Sequence, residues 1–272
     1  MPFHRLAARA ALLVPLLLAS PSAQAGVGDL LVAPTRVVLN GSRGTEIILN
    51  NIGEEVATYR VSVELRRMTP DGMLNDVADP NAAEKLAQSL IMYAPRRVTL
   101  APREPQSIRI SARAPKDLPD GEYRVHLLFR AVPPPTPVEA APKEQKGISF
   151  KLTTIYGVTI PVIARFGNLQ AKAGIADVRL TREEGKPAVS LHLTRAGDRS
   201  TFGEVRVMKA GIKDPIAIQR GIAVYTEIGQ RDVTIPIEDQ YASAATGRVK
   251  VQYVEPSDNG PQMIAETDAV LN

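Results

Sequence analysis

Residues 121–129 read Gly-Glu-Tyr-Arg-Val-His-Leu-Leu-Phe, and this stretch decides the fold class. Tyr123, Val125, Leu127 and Phe129 recur at every second position. Side chains of an extended chain alternate between its two faces, so these four share one face of a half-buried strand. A helix would need apolar residues three and four positions apart instead. Pro119-Asp120-Gly121 stands at the start of the run and supplies a turn.

The same period of two continues in both directions. Upstream it runs through Val37 and Leu39, Ile47 and Leu49, then Tyr59, Val61, Val63 and Leu65, then Val98 and Leu100, and Ile108 and Ile110. Asn40-Gly41-Ser42 and Asn51-Ile52-Gly53 separate these runs as turns. After Gly167, about seven further runs follow: Val178–Leu180, Val189–Leu193, Val205–Met208, Ile216–Val224, Val233–Ile237, Val249–Val254 and Met263–Val270. Many short strands at this spacing predict an all-β protein built from immunoglobulin-like sandwiches. One helix is expected, over Asn81–Leu90, with Asn81 as N-cap and Glu84 closing a capping box. It lies in an insertion, residues 68–93, which also holds the turn Thr69-Pro70-Asp71-Gly72.

Residues 132–147 carry Pro133, Pro134, Pro135, Pro137 and Pro142. Proline has no N–H to give to a ladder, so no central strand passes here. The segment reads as a long mobile loop inside a domain, or else as an interdomain linker. The domain boundary is expected at Phe166-Gly167-Asn168.

At the other end, His4, Arg5 and Arg9 precede an apolar run from Ala10 to Ala19, and Ala23-Gln24-Ala25 follows. A charged start, a short apolar middle and small residues before the cut describe a secretory signal peptide. The run is shorter than the ~20 residues that span a bilayer, and Pro15 interrupts it. The expected plan is therefore a leader over residues 1–25, an N-terminal domain over 26–166 and a C-terminal domain over 167–272, with the protein exported to the periplasm and no stable membrane insertion.

Charge and composition narrow the function. The chain has 272 residues, 33 Lys and Arg against 29 Asp and Glu, and a net charge of +4. The leader removes two of the basic residues and no acidic one. So even a balance, without basic runs interleaved with aromatics, argues against a nucleic-acid partner. There is no cysteine, which excludes disulfides, thiolate metal sites and thiol nucleophiles. No G-x-S-x-G elbow, P-loop or G-x-G-x-x-G is present. His126 and His192 each fall in an expected strand, where a lone histidine is a packing or surface residue. No catalytic residue, metal or cofactor is expected, and the protein is not read as an enzyme.

Four segments, in order, resemble periplasmic pilus-assembly chaperones of the PapD-like family. They are Ala33-Pro34-Thr35-Arg36-Val37-Val38-Leu39-Asn40-Gly41; Ala94-Pro95-Arg96-Arg97-Val98-Thr99-Leu100-Ala101-Pro102 with Gln106-Ser107-Ile108-Arg109-Ile110; Leu118-Pro119-Asp120-Gly121-Glu122-Tyr123 with Val132-Pro133-Pro134; and Ile160-Pro161-Val162-Ile163-Ala164-Arg165. The resemblance covers Leu30 to Arg165, and the second domain only by length and strand count. It implies two immunoglobulin-like domains in a boomerang arrangement with an interdomain cleft. It also implies donor-strand complementation, in which the chaperone lends a strand to a fibre subunit that lacks one and delivers it to an outer-membrane usher. Free chaperone would be able to cap itself as a dimer.

The resemblance assigns the donor strand to residues 148–160, with Ile148, Phe150, Leu152, Thr154 and Tyr156 on one parity. Arg36 matches the residue that grips the client's terminal carboxylate. The family's second cation, a lysine, falls on Pro161; Arg165 could assist instead. Glu122 and Arg165 match an ion pair across the domain junction, and Asp239 is the candidate for its third member. These departures imply a divergent branch, with a client of unfamiliar type. The competing expectation is an exported immunoglobulin-like structural or adhesive fibre subunit; a third reading, a secreted enzyme, would need clustered His, Asp or Ser in one cleft.

Overall fold

The computed structural model describes residues 29–133 and 155–272. Among them the chain is all-β apart from one α-helix and a 3-10 turn. The first half contains β1 (Leu30–Ala33), β2 (Val37–Asn40), β3 (Thr45–Asn51), β4 (Ala57–Glu64), β5 (Arg66–Met68), β6 (Leu74–Asp76), α1 (Ala82–Leu90), β7 (Ile91–Ala94), β8 (Arg97–Leu100), β9 (Pro105–Ala112), β10 (Gly121–Val132) and β11 (Gly157–Phe166). Two sheets result, in the orders β1-β3-β9-β7 and β2-β11-β10-β4-β8. Their inner faces share one core, in which Tyr59, Ile47, Leu49, Ile108, Val125, Leu127 and Phe129 are almost wholly buried. The alternation in residues 121–129 is therefore the alternation between core and outer face.

The second half contains β12 (Ala171–Glu183), β13 (Lys186–Gly197), β14 (Thr201–Met208), β15 (Ala217–Val224), β16 (Gln230–Pro236), the 3-10 turn Asp239–Ala244, β17 (Gly247–Glu255) and β18 (Gln262–Leu271). It forms sheets β12-β13-β16 and β15-β14-β17-β18 around a separate core. Gly167, with φ of 87°, turns the chain from β11 toward β12. Only glycine adopts that backbone easily, and a Cβ there would also strike Asp120.

The insertion folds as a hairpin, β5–β6, followed by α1. The helix starts as its sequence dictates: Glu84 N–H donates to Asn81 Oδ1 at 2.9 Å, and Asn81 N–H donates to Glu84 Oε2 at 2.8 Å. Glu84 also receives Arg67 from β5 at 2.6 Å, which ties the helix to the hairpin. Ala87 and Leu90 bury the other side of the helix in the first core.

That hairpin reaches the second sandwich. Met68 packs in a small apolar cluster with Ile163, Ala223 and Tyr225. Met68 N–H donates to Glu227 Oε1 at 2.8 Å, and Asp232 N–H donates to Pro70 O at 2.6 Å. At the turn, Gly72 has a φ of 85°, which glycine adopts easily, and it lies against the Arg231 guanidinium, which a side chain there would have to displace.

Candidate functional site

Three of the residues singled out by the sequence, Arg36, Glu122 and Arg165, gather where the two sandwiches meet. Glu122 on β10 and Arg165 on β11 are register partners. Their ion pair is 2.9 Å long, and the Glu122 side chain is only 1% exposed. The same carboxylate oxygen accepts from Ser200 N–H at 3.0 Å and from Ser200 Oγ–H at 2.9 Å. Arg165 returns to Ser200 O at 3.2 Å. Ser200, just before β14, is thus the second-sandwich member of the network.

Asp239, the expected third member, does not take part. It pairs with Lys186 at 2.9 Å on the exposed surface. Lys186 opens β13, whereas Ser200 lies just past its far end, roughly 35 Å away at ~3.3 Å per strand residue.

Two further contacts at the junction carry no family match. Arg124, on the outer face of β10, donates both Nη groups to Glu227, at 3.0 and 2.6 Å, and one of them also to Arg66 O at 2.8 Å. Its guanidinium lies 3.6 Å from the centroid of the Tyr225 ring, a cation–π distance. His126, two residues along, is 1% exposed between its cross-strand partners Pro161 and Glu64. Neither ring nitrogen has a partner among the described residues. Burial, then the charges of Arg124, Arg66 and Arg36, push its pKa down to about 3. Alternation marked 124 and 126 as outer-face positions, but nothing local in the sequence says that Glu227 and Tyr225 meet Arg124 there.

Arg36 immediately precedes β2. Its Nη1 donates to Tyr225 Oη at 3.3 Å and its Nη2 to Ser200 Oγ at 3.4 Å. The guanidinium also lies 4.4 Å from the centroid of Phe202. Burial pulls its pKa below the ordinary value, with Tyr225 and Glu122 opposing the shift. Its hydrogen-bond partners among the described residues are thus neutral hydroxyls, while the nearby Glu122 is taken by Arg165 and Ser200.

Among the described residues, the edge beside Arg36 is one-sided. β11 pairs with β10 from Gly157 to Phe166, but with β2 only from Val162 to Arg165. Tyr156 O accepts from Ala131 N–H on the β10 side, and Arg165 O accepts from Gly41 N–H on the β2 side. Backbone groups alternate in direction along a strand, so the N–H groups of Gly157 and Thr159 point to the unpaired side. Pro161 also faces that side, where its missing N–H breaks no ladder bond. Side chains alternate as well: Ile160, Val162 and Ala164 enter the first core, while Ile163 joins the cluster at the junction.

Among solved structures, several pilus and fimbrial chaperones resemble this chain. They include the YadV chaperone (16% identity, 89% of this chain and 100% of that chain, TM-score 0.46). The Escherichia coli chaperone DraB gives 16%, 89%, 96% and 0.45 in the same order. The Salmonella enterica SafA pilin in complex with the SafB chaperone gives 15%, 89%, 96% and 0.44. No family model matches the sequence, and no curated protein matches it.

Of the residues expected in the donor strand, Tyr156 is described, and it is exposed, as is Ile155. Ile148, Phe150, Leu152 and Thr154, and most of the proline-rich segment, lie outside the described residues. Tyr156 has the parity of Ile160 and Val162, the core-facing residues of β11.

Proposed function

We propose that this protein is a periplasmic chaperone that caps incomplete immunoglobulin-like fibre subunits with its own strand, residues 148–160, and passes them to an outer-membrane usher. The residue 1–25 leader exports it. The observation that carries the reading is the one-sided pairing of β11 next to Arg36. An open strand edge offers a row of N–H and C=O groups to any chain that can pair with it. β2 runs parallel to β11 and begins at Val37, opposite Val162. Arg36 therefore stands where the open stretch ends. A client strand lying along Gly157–Pro161 in the direction of β11 would bring its terminal carboxylate to Arg36.

The side chains fit the same scheme. Ile148, Phe150, Leu152, Thr154 and Tyr156 continue the parity of Ile160 and Val162. A client sandwich seated end to end on the first one would receive them as an extension of the same core. Each large apolar side chain so buried contributes ~1.5–3 kcal/mol. Arg165 spends its Nε on Glu122 and Nη2 on Ser200, and Pro161 has no charge, so the anchoring falls to Arg36. Without a client, the same edge is open to a second copy of the chain.

Co-expression with the natural client tests this. Leu152→Glu puts a charge into the shared core, and Arg36→Ala removes the anchor. Each variant is expected to cut recovery of soluble client at least tenfold, since ~1.4 kcal/mol is a factor of ten. Undiminished recovery with both would favour a structural fibre subunit instead.

A further inference from the structure

We propose that Tyr225 is a positioning residue for the client anchor, setting the guanidinium of Arg36 from across the junction. The inference rests on the reading of Arg36 given above. Tyr225 directly follows β15 and is 3% exposed. Its hydroxyl accepts from Arg36 Nη1 at 3.3 Å, and the Arg36 guanidinium carbon lies 5.6 Å from its ring centroid. The ring in turn carries Arg124 at 3.6 Å, and Arg124 is held by both carboxylate oxygens of Glu227. Glu227, Arg124, Tyr225 and Arg36 thus form one chain of contacts that crosses between the sandwiches at every link. Part of the contact between the sandwiches thus also places the anchor.

The chemistry of the seat suits an anchor. An arginine side chain is long and loses rotamer freedom when it grips a ligand. Fixing it beforehand moves that loss out of the binding step. A carboxylate in the seat would fix it too, but would neutralise it. Tyr225 and Ser200 offer hydroxyls, which hold the guanidinium and leave its charge uncompensated. They engage two of the five N–H groups that a guanidinium carries, and a carboxylate fork needs two more.

The test uses the full mature protein and a short peptide of alternating valine and threonine, made with a free C-terminal carboxylate or with an amide. Wild type is expected to prefer the carboxylate about 10-fold to 100-fold, the range of a charge-assisted hydrogen bond. Arg36→Ala should bring the ratio to one. Tyr225→Phe keeps the ring under Arg124 and deletes only the hydroxyl. It should lower the ratio about threefold to tenfold, with amide affinity and thermal midpoint unchanged. An unchanged ratio in Tyr225→Phe, with Arg36→Ala still abolishing the preference, overturns the positioning role and leaves the anchor standing. A ratio that falls only together with amide affinity or thermal midpoint marks Tyr225 as general support of the fold and also overturns it. A wild-type ratio near one, or no binding of either peptide, defeats the anchor reading and this inference with it.

Discussion

Arg165→Met is expected to destabilise the protein by about 3 kcal/mol, the cost of leaving a buried charge without its partner. Glu122 keeps the two donors of Ser200 but loses its counter-charge, and at 1% exposure water cannot replace it. Its other oxygen is already without a partner among the described residues. For a chain of this size the loss corresponds to a fall of roughly 6–12 °C in thermal midpoint. The double variant Glu122→Gln/Arg165→Met should recover most of it, because a neutral pair of similar volume carries no desolvated charge. Thermal and urea unfolding of the three proteins measure this. A single variant within ~0.5 kcal/mol of wild type would show that the junction does not depend on the pair.

The second large effect is on acid stability. In the unfolded chain His126 titrates near 6.5; in the fold it is held at about 3 by burial and by Arg124, Arg66 and Arg36. Its folded pKa is depressed, so as pH falls below 6.5 the unfolded chain binds a proton that the folded chain refuses. Stability therefore drops with falling pH by ~1.4 kcal/mol per unit, from about pH 6.5 down to about pH 3. The loss between pH 7 and 5 comes to about 2 kcal/mol, before most carboxylates titrate. His126→Leu removes a proton site and two unpartnered nitrogens. It should match or exceed wild-type stability at pH 7 and lose this share of the slope. Urea unfolding at pH 7, 6 and 5 reads both, and equal pH dependence in the two proteins would contradict the account.

The strands were legible because alternation is a local signal. Tyr123 to Phe129 alternates at the period that separates core from outer face, and Asn81 and Glu84 carry the helix start within four residues. Glu122 and Arg165 were expected as a pair across the domain junction; they are instead register partners on neighbouring strands of one sheet, and Ser200 carries the network to the second sandwich. Ser200, Arg124, Tyr225 and Glu227 were not legible. Each belongs to a contact between segments about 80 to 190 residues apart, and no spacing within either segment encodes it. The choice of Asp239 failed for the same reason: an acidic side chain of the right type stands at the far end of the sandwich. His126 was read as a packing or surface residue of its strand; it is buried, and alternation alone did not say which of the two it would be. Pro161 looked like a lost cation in the sequence. Its place on the unpaired side of β11 supplies a backbone reason why a proline is tolerated there.

Amide hydrogen exchange at Gly157 and Thr159 tests the central claim most directly. Both N–H groups point to the unpaired side of β11, so in the free, monomeric protein they should exchange fast, while those of Ile160 and Val162, which face β10, are protected. Binding of the natural client, co-purified from periplasm, is expected to slow Gly157 and Thr159 at least ~100-fold through new strand pairing, with Ile160 and Val162 little changed. Fast exchange at Gly157 and Thr159 in a verified client complex would contradict donation of this strand.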